Sequence, residues 1–116
     1  VNAGGDLRVF GTSGQTVHVR AGSGEIIGSL SLENAALASS ANVATRRVVC
    51  GTTRSPHIGR QGKPVLIDQT ISVMASKCVI ADAMTKVAMI DPDLADQLLA
   101  EHDGCIVRTP AGAVGA

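Results

Sequence analysis

Thr70-Ile71-Ser72-Val73-Met74-Ala75, followed after two polar residues by Cys78-Val79-Ile80-Ala81-Asp82-Ala83-Met84-Thr85-Lys86-Val87-Ala88-Met89-Ile90, decides how this chain folds. The first six residues read as a strand. From Cys78 onward Val79, Ile80, Met84, Val87, Ala88 and Ile90 fall near helical spacing, so Val79 to Ile90 is expected to form one helix. Asp82 and Thr85 stand three positions apart, neighbours one turn along that helix. A carboxylate beside a hydroxyl suits Mg²⁺, which takes few oxygens from protein and the rest from water or substrate phosphates. The spacing leaves a plainer reading open, in which Asp82 favours the helix dipole from a first turn and Thr85 is an ordinary surface residue.

Working outward, Pro92 sits at a first-turn position and opens a second helix through His102, with Gly104 as its stop. Before residue 70, the punctuation by Gly4-Gly5, Ser13-Gly14, Gly22 to Gly24 and Gly62 to Pro64 has the rhythm of antiparallel strands and turns. Strands are expected near Leu7 to Gly11, Thr16 to Arg20, Glu25 to Leu32, Ala36 to Ser39, Val48 to Thr52 and His57 to Ile58, with a last one at Cys105 to Arg108. Strands first and helices later indicate an α+β fold, an antiparallel sheet with two C-terminal helices. No internal repeat is evident. Residues 1–109 read as one unit and 110–116 as a flexible tail of small residues.

The 116 residues are 45% hydrophobic, with one Phe and no Tyr or Trp, so the core must be built from Val, Ile, Leu and Ala. That is enough for a single core. Ten basic and ten acidic residues balance with no basic run, which argues against a nucleic-acid partner held through phosphates. No segment has the length of a membrane span and none reads as a signal peptide. Cys50, Cys78 and Cys105 form no CxxC and are odd in number, so buried free thiols are the simplest reading.

Individual residues are ambiguous when taken singly. Gly4-Gly5 before Asp6 permits close approach of a phosphate or ring, and equally makes a plain turn. His57 after Ser55-Pro56 is an edge residue in one reading; in another, its imidazole takes a proton from an attacking hydroxyl. Arg54 and Arg60 flank it and read mainly as solvated charge. His18 and His102 lack partners at ligand spacing.

Four segments taken together are more specific. Val1-Asn2-Ala3-Gly4-Gly5-Asp6-Leu7-Arg8-Val9-Phe10-Gly11, Ala36-Leu37-Ala38-Ser39-Ser40, Ser55-Pro56-His57-Ile58 with Gly62-Lys63-Pro64, and Ser72-Val73 through Ala81-Asp82-Ala83-Met84-Thr85 resemble, in order and spacing, the ApbE family of flavin transferases. The resemblance runs from Val1 to about Val107 and covers the C-terminal part of that family's domain. It implies a Mg²⁺-dependent enzyme that splits FAD and joins the FMN half to a Thr hydroxyl of a target flavoprotein, releasing AMP. By the same resemblance Asp82 and Thr85 are metal ligands, and Asn2, Gly4, Gly5, Asp6, Ser39 and Ser40 lie along the flavin nucleotide. His57 corresponds to the His implicated in catalysis.

The chain departs from the family pattern in three places. Members commonly carry an Ile/Leu-Asp-Pro run after the His, whereas His57-Ile58 passes directly to Gly59-Arg60-Gln61-Gly62. Many members place the metal-binding Thr four residues after the Asp, and that position is Lys86. The family's Lys-Gly-Tyr/Ala-Ala-Asp segment falls before Val1, so an upstream N-terminal half of the same protein is an expected partner. Two classes follow: an FMN-transferring enzyme, or a non-catalytic flavin-binding or chaperone-like relative. By resemblance the setting is the bacterial periplasm or the inner membrane, with the cytoplasm as the alternative.

Overall fold

The computed structural model describes residues 1–3, 5–20, 25–41, 46–67 and 69–107. Gly4 and the tail 110–116 lie outside them, and with them the readings made for those residues. Nine strands and two helices are present among the described residues: β1 Asn2–Ala3, β2 Asp6–Val9, β3 Gln15–Arg20, β4 Ile26–Leu32, β5 Ala35–Ser40, β6 Arg47–Val49, β7 Thr52–Arg54, β8 Ile71–Ala75, α1 Cys78–Ile90, α2 Pro92–Ala100 and β9 Cys105–Val107. The fold is α+β, as the order of patterns in the chain predicts.

Five strands form one antiparallel sheet in the order β1-β2-β5-β8-β9. Its register sets Ala36 opposite Ala75, Ala38 opposite Val73 and Ser40 opposite Ile71. Because side chains alternate along a strand, these six share one face. On that face lies the core of Ala36, Ala38, Val73, Ala75, Ala81, Met84, Ala88, Ala95 and Leu99, to which α1 and α2 contribute the last five. Small alanines on β5 and α1 let helix and sheet approach closely, which is how a chain without large aromatics fills its interior. The helix joins the sheet by a second route where the Cys78 thiol donates to the Leu7 carbonyl at 3.2 Å.

The two helices meet at Asp91. Its carboxylate accepts from Leu94 N at 3.1 Å and caps α2, whose first residue is Pro92. At the far end Glu101 N bonds Leu98 O, and Asp103 adopts φ 52° to end the turn. The stop is therefore made by Asp103, while Gly104 serves a different need. A Cβ at Gly104 would lie 2.6 Å from Met74 O and 2.8 Å from a Leu99 methyl.

β3 and β4 form a separate hairpin, and β6 with β7 a third small sheet. The latter corrects the single strand expected over Val48 to Thr52. Cys50 at φ 51° and Gly51 at φ 76° make a two-residue turn that reverses the chain inside that run. His57–Ile58 forms no strand; Ile58 makes only an isolated bridge with Pro64. No helix of the described residues is long and apolar enough to cross a membrane.

Candidate functional site

Asp82 stands in the second turn of α1, the fifth helical residue after Lys77, so its carboxylate does not serve the first turn as the plainer reading expected. Position four residues on is Lys86, and the two side chains meet: Lys86 Nζ lies 2.5 Å from Asp82 Oδ1. The same ammonium donates to the Asp82 carbonyl at 3.2 Å and to Ser40 Oγ at 3.3 Å. An ammonium has three N–H donors, and all three are used here.

Thr85 is fully buried, and its hydroxyl donates to the Asp82 carbonyl at 2.7 Å. Ser40 Oγ lies 2.9 Å from Thr85 Oγ1. Since the Thr85 proton is committed to Asp82, Ser40 must be the donor in that contact, and Lys86 the donor to Ser40. The protons thus run one way, from Lys86 through Ser40 and Thr85 to the Asp82 backbone. Asp82 and Thr85 are neighbours as the spacing predicts, but through the Asp82 carbonyl rather than its carboxylate.

Asp6, at the start of β2, lies within electrostatic reach of Asp82 and Lys86. Burial pushes its carboxyl above the usual range, the nearby Asp82 carboxylate adds to the rise, and Lys86 opposes it. One turn earlier in the chain, Asn2 Oδ1 accepts from Gly5 N at 3.1 Å, and Gly5 takes φ 100°, a conformation open to glycine. Ser40, Asp82 and Thr85 therefore come together with Lys86, and Asp6 lies within electrostatic reach; all but Lys86 belong to three of the four sequence motifs.

Other expected residues are placed differently. Ser39 alternates to the opposite face from Ser40, where its hydroxyl lies 2.7 Å from that of buried Ser72. His57 is half-buried in a loop; its backbone N–H donates to Ser55 Oγ at 3.1 Å and its carbonyl accepts from Val65 N at 2.9 Å. That loop is anchored at the C-terminal end of α1, where Arg60 pairs with Asp91 at 3.0 Å. Asp91 lies nine residues beyond Asp82, about 13 Å along the helix axis. Arg60 thus pairs with a carboxylate while 71% of its side chain stays exposed, which fits its reading as solvated charge.

Lys86 is the residue that sequence reading undervalued. It entered only as a departure from a pattern, although an Asp-Lys pair at four-residue spacing on a helix is itself a signal for an ion pair. The Mg²⁺ expected from the resemblance does not fit these side chains as they stand. One Asp82 carboxylate oxygen, Oδ1, is engaged by an ammonium, and the Thr85 hydroxyl is enclosed with its proton committed. Among the described residues no group of three or more His, Cys, Asp or Glu is placed to hold a metal ion.

The profile of the ApbE family matches residues 1–107. No curated protein and no solved structure matches the chain.

Proposed function

Because the chain belongs to the ApbE family, which includes flavin transferases, we propose that it works as the C-terminal part of an FAD:protein FMN transferase. In this reaction the Thr hydroxyl of a target flavoprotein attacks the FMN phosphorus of FAD. A new P–O bond to Thr forms, the bridging P–O bond breaks, and AMP departs while the hydroxyl proton passes to a base. His57 is the base in this reading, and the turn at Asn2, Gly5 and Asp6 with Ser40 at the end of β5 lies beside the substrate, while Ser39 faces the other side of the sheet. Such phosphoryl chemistry depends on positioning and on charge placed near the diphosphate.

The observation that supports the proposal most is that Ser40 of β5 is hydrogen-bonded to Thr85 and Lys86 of α1 and Lys86 to Asp82, with Asp6 of β2 within electrostatic reach. The family resemblance would add Mg²⁺, which Asp82 and Thr85 as placed do not fit, and an upstream half of the protein completing the pocket.

The test is co-expression of the complete gene product with a candidate target flavoprotein. Covalent FMN on a target Thr, detected by mass spectrometry and accompanied by AMP, supports the transferase. The engagement of Asp82 by Lys86 favours a second reading, a non-catalytic flavin-binding relative. Saturable FAD binding without any covalent product would select that one, and absence of both would remove the flavin from the account.

A further inference from the structure

We infer that the Lys86 ammonium is the resident cation of this site and takes the place of a divalent ion. The inference rests on the flavin-diphosphate reading only for its purpose, since the geometry is independent of it. Lys86 Nζ is surrounded by three oxygens: Asp82 Oδ1 at 2.5 Å, the Asp82 carbonyl at 3.2 Å and Ser40 Oγ at 3.3 Å. A carboxylate, a carbonyl and a hydroxyl are the hard oxygen donors that a small divalent cation selects. Here they converge on a tethered charge instead.

Three features make the substitution self-consistent. The spacing of four residues holds the ammonium over Asp82 without any loop having to close. The Thr85 hydroxyl, which could have supplied another oxygen, is turned inward and gives its proton to the Asp82 carbonyl. Ser40, on a different element, fixes the far side of the ammonium, so sheet and helix both position it. A divalent ion entering here would have to displace the lysine and would then stand beside it, like charge against like charge. The Lys86 side chain keeps 42% of its surface exposed, so the ion pair stands at the solvent boundary, where a metal ion could reach it.

The experiment is a calorimetric titration of the protein with Mn²⁺ and Mg²⁺, beside Lys86→Thr and Lys86→Met variants checked for folding by circular dichroism. Wild type should show no saturable metal site. Lys86→Thr, which frees Asp82 and offers a new hydroxyl, should bind Mn²⁺ roughly tenfold or more tightly than wild type, and adding Asp82→Asn should abolish the gain. A saturable wild-type site as tight as that of Lys86→Thr would overturn the inference, as would folded Lys86→Thr and Lys86→Met variants that bind no metal. Wild type alone supplies a further check that needs no variant. Mg²⁺ should leave the Asp82 carboxyl resonance in place, and a saturable shift of that resonance would overturn the inference too. Because these readouts are metal binding and not FMN transfer, failure of the proposed activity leaves them intact, and a chain that binds no FAD but shows this metal pattern separates the two ideas.

Discussion

Ser40 Oγ lies 2.9 Å from Thr85 Oγ1, so the last residue of β5 is bonded to a hydroxyl in α1 that solvent does not reach. With the Thr85 proton given to the Asp82 carbonyl, the Ser40–Thr85 contact has a fixed direction. Thr85→Val keeps the side-chain shape but leaves Ser40 without its acceptor. The expected loss is about 1–2 kcal/mol by urea denaturation. Ser40→Ala should cost less, about 0.5–1 kcal/mol, because Thr85 keeps its bond to Asp82. The double variant should lose less than the sum, and strict additivity would show that the contact carries no coupling.

The Asp6 carboxyl is raised above its ordinary value of 3.8, first by burial and then by Asp82, against a lowering from Lys86. A raised folded value means that the native state holds more protons than the unfolded state between 3.8 and that value. Stability therefore falls as pH rises through this window, and the penalty persists above it. Asp6→Asn should be more stable than wild type at neutral pH, with the gap closing as pH drops below 3.8. Lys86→Met should raise the Asp6 value further. Urea midpoints across the acid range and carboxyl NMR titration check both, and a midpoint gap that widens on acidification would reverse the assigned sign.

Gly104 marks where α2 hands the chain to β9. Its N–H bonds Leu99 O at 2.9 Å, and a Cβ there would press on Met74 O and a Leu99 methyl. Met74 O is backbone and cannot move aside as a side chain would. Gly104→Ala should cost about 1–3 kcal/mol by denaturation, the usual range for forcing an atom into a packed interior. Asp103→Gly, at φ 52°, should instead be neutral or slightly stabilising. The opposite ranking would mean that Gly104 is needed for its backbone freedom.

The helix and strand at residues 70–90 were legible because each carries its own period, and α2 because Pro92 and Asp91 mark its start. The β6–β7 hairpin was not, since Val48-Val49-Cys50-Gly51-Thr52 is apolar and β-branched on both sides of the reversal. Its only local signal is Gly51 after a residue that must also take positive φ, and Cys50 is an unusual choice there. At the site, the nearness of Asp82 and Thr85 followed from helical geometry. Thr85 turns inward because it shares a helix face with Ala81, Met84 and Ala88, but that Ser40 rather than Ser39 faces the helix and that Asp6 comes within electrostatic reach of Asp82 depend on strand register, which one sequence does not specify until partners are known.

His57 is the residue whose role the fold leaves most exposed to test. Its loop is held by the Arg60–Asp91 ion pair, and Asp91 also caps α2, so the loop's position is coupled to the junction of the two helices. Arg60→Ala removes the anchor and spares the cap, which makes it the cleaner perturbation of the loop. If His57 takes the proton from the target hydroxyl, His57→Ala should leave FAD affinity within a few fold. It should slow single-turnover FMN transfer by roughly 10²-fold or more, the scale for losing a general base. Arg60→Ala should then slow transfer by a smaller factor, because the imidazole is still present but less well placed. If His57 only lines the flavin pocket, FAD affinity should fall in both variants while transfer at saturating FAD survives. Measuring affinity and transfer on the same preparations decides between them, and unaltered transfer by His57→Ala at saturating FAD takes His57 out of the mechanism.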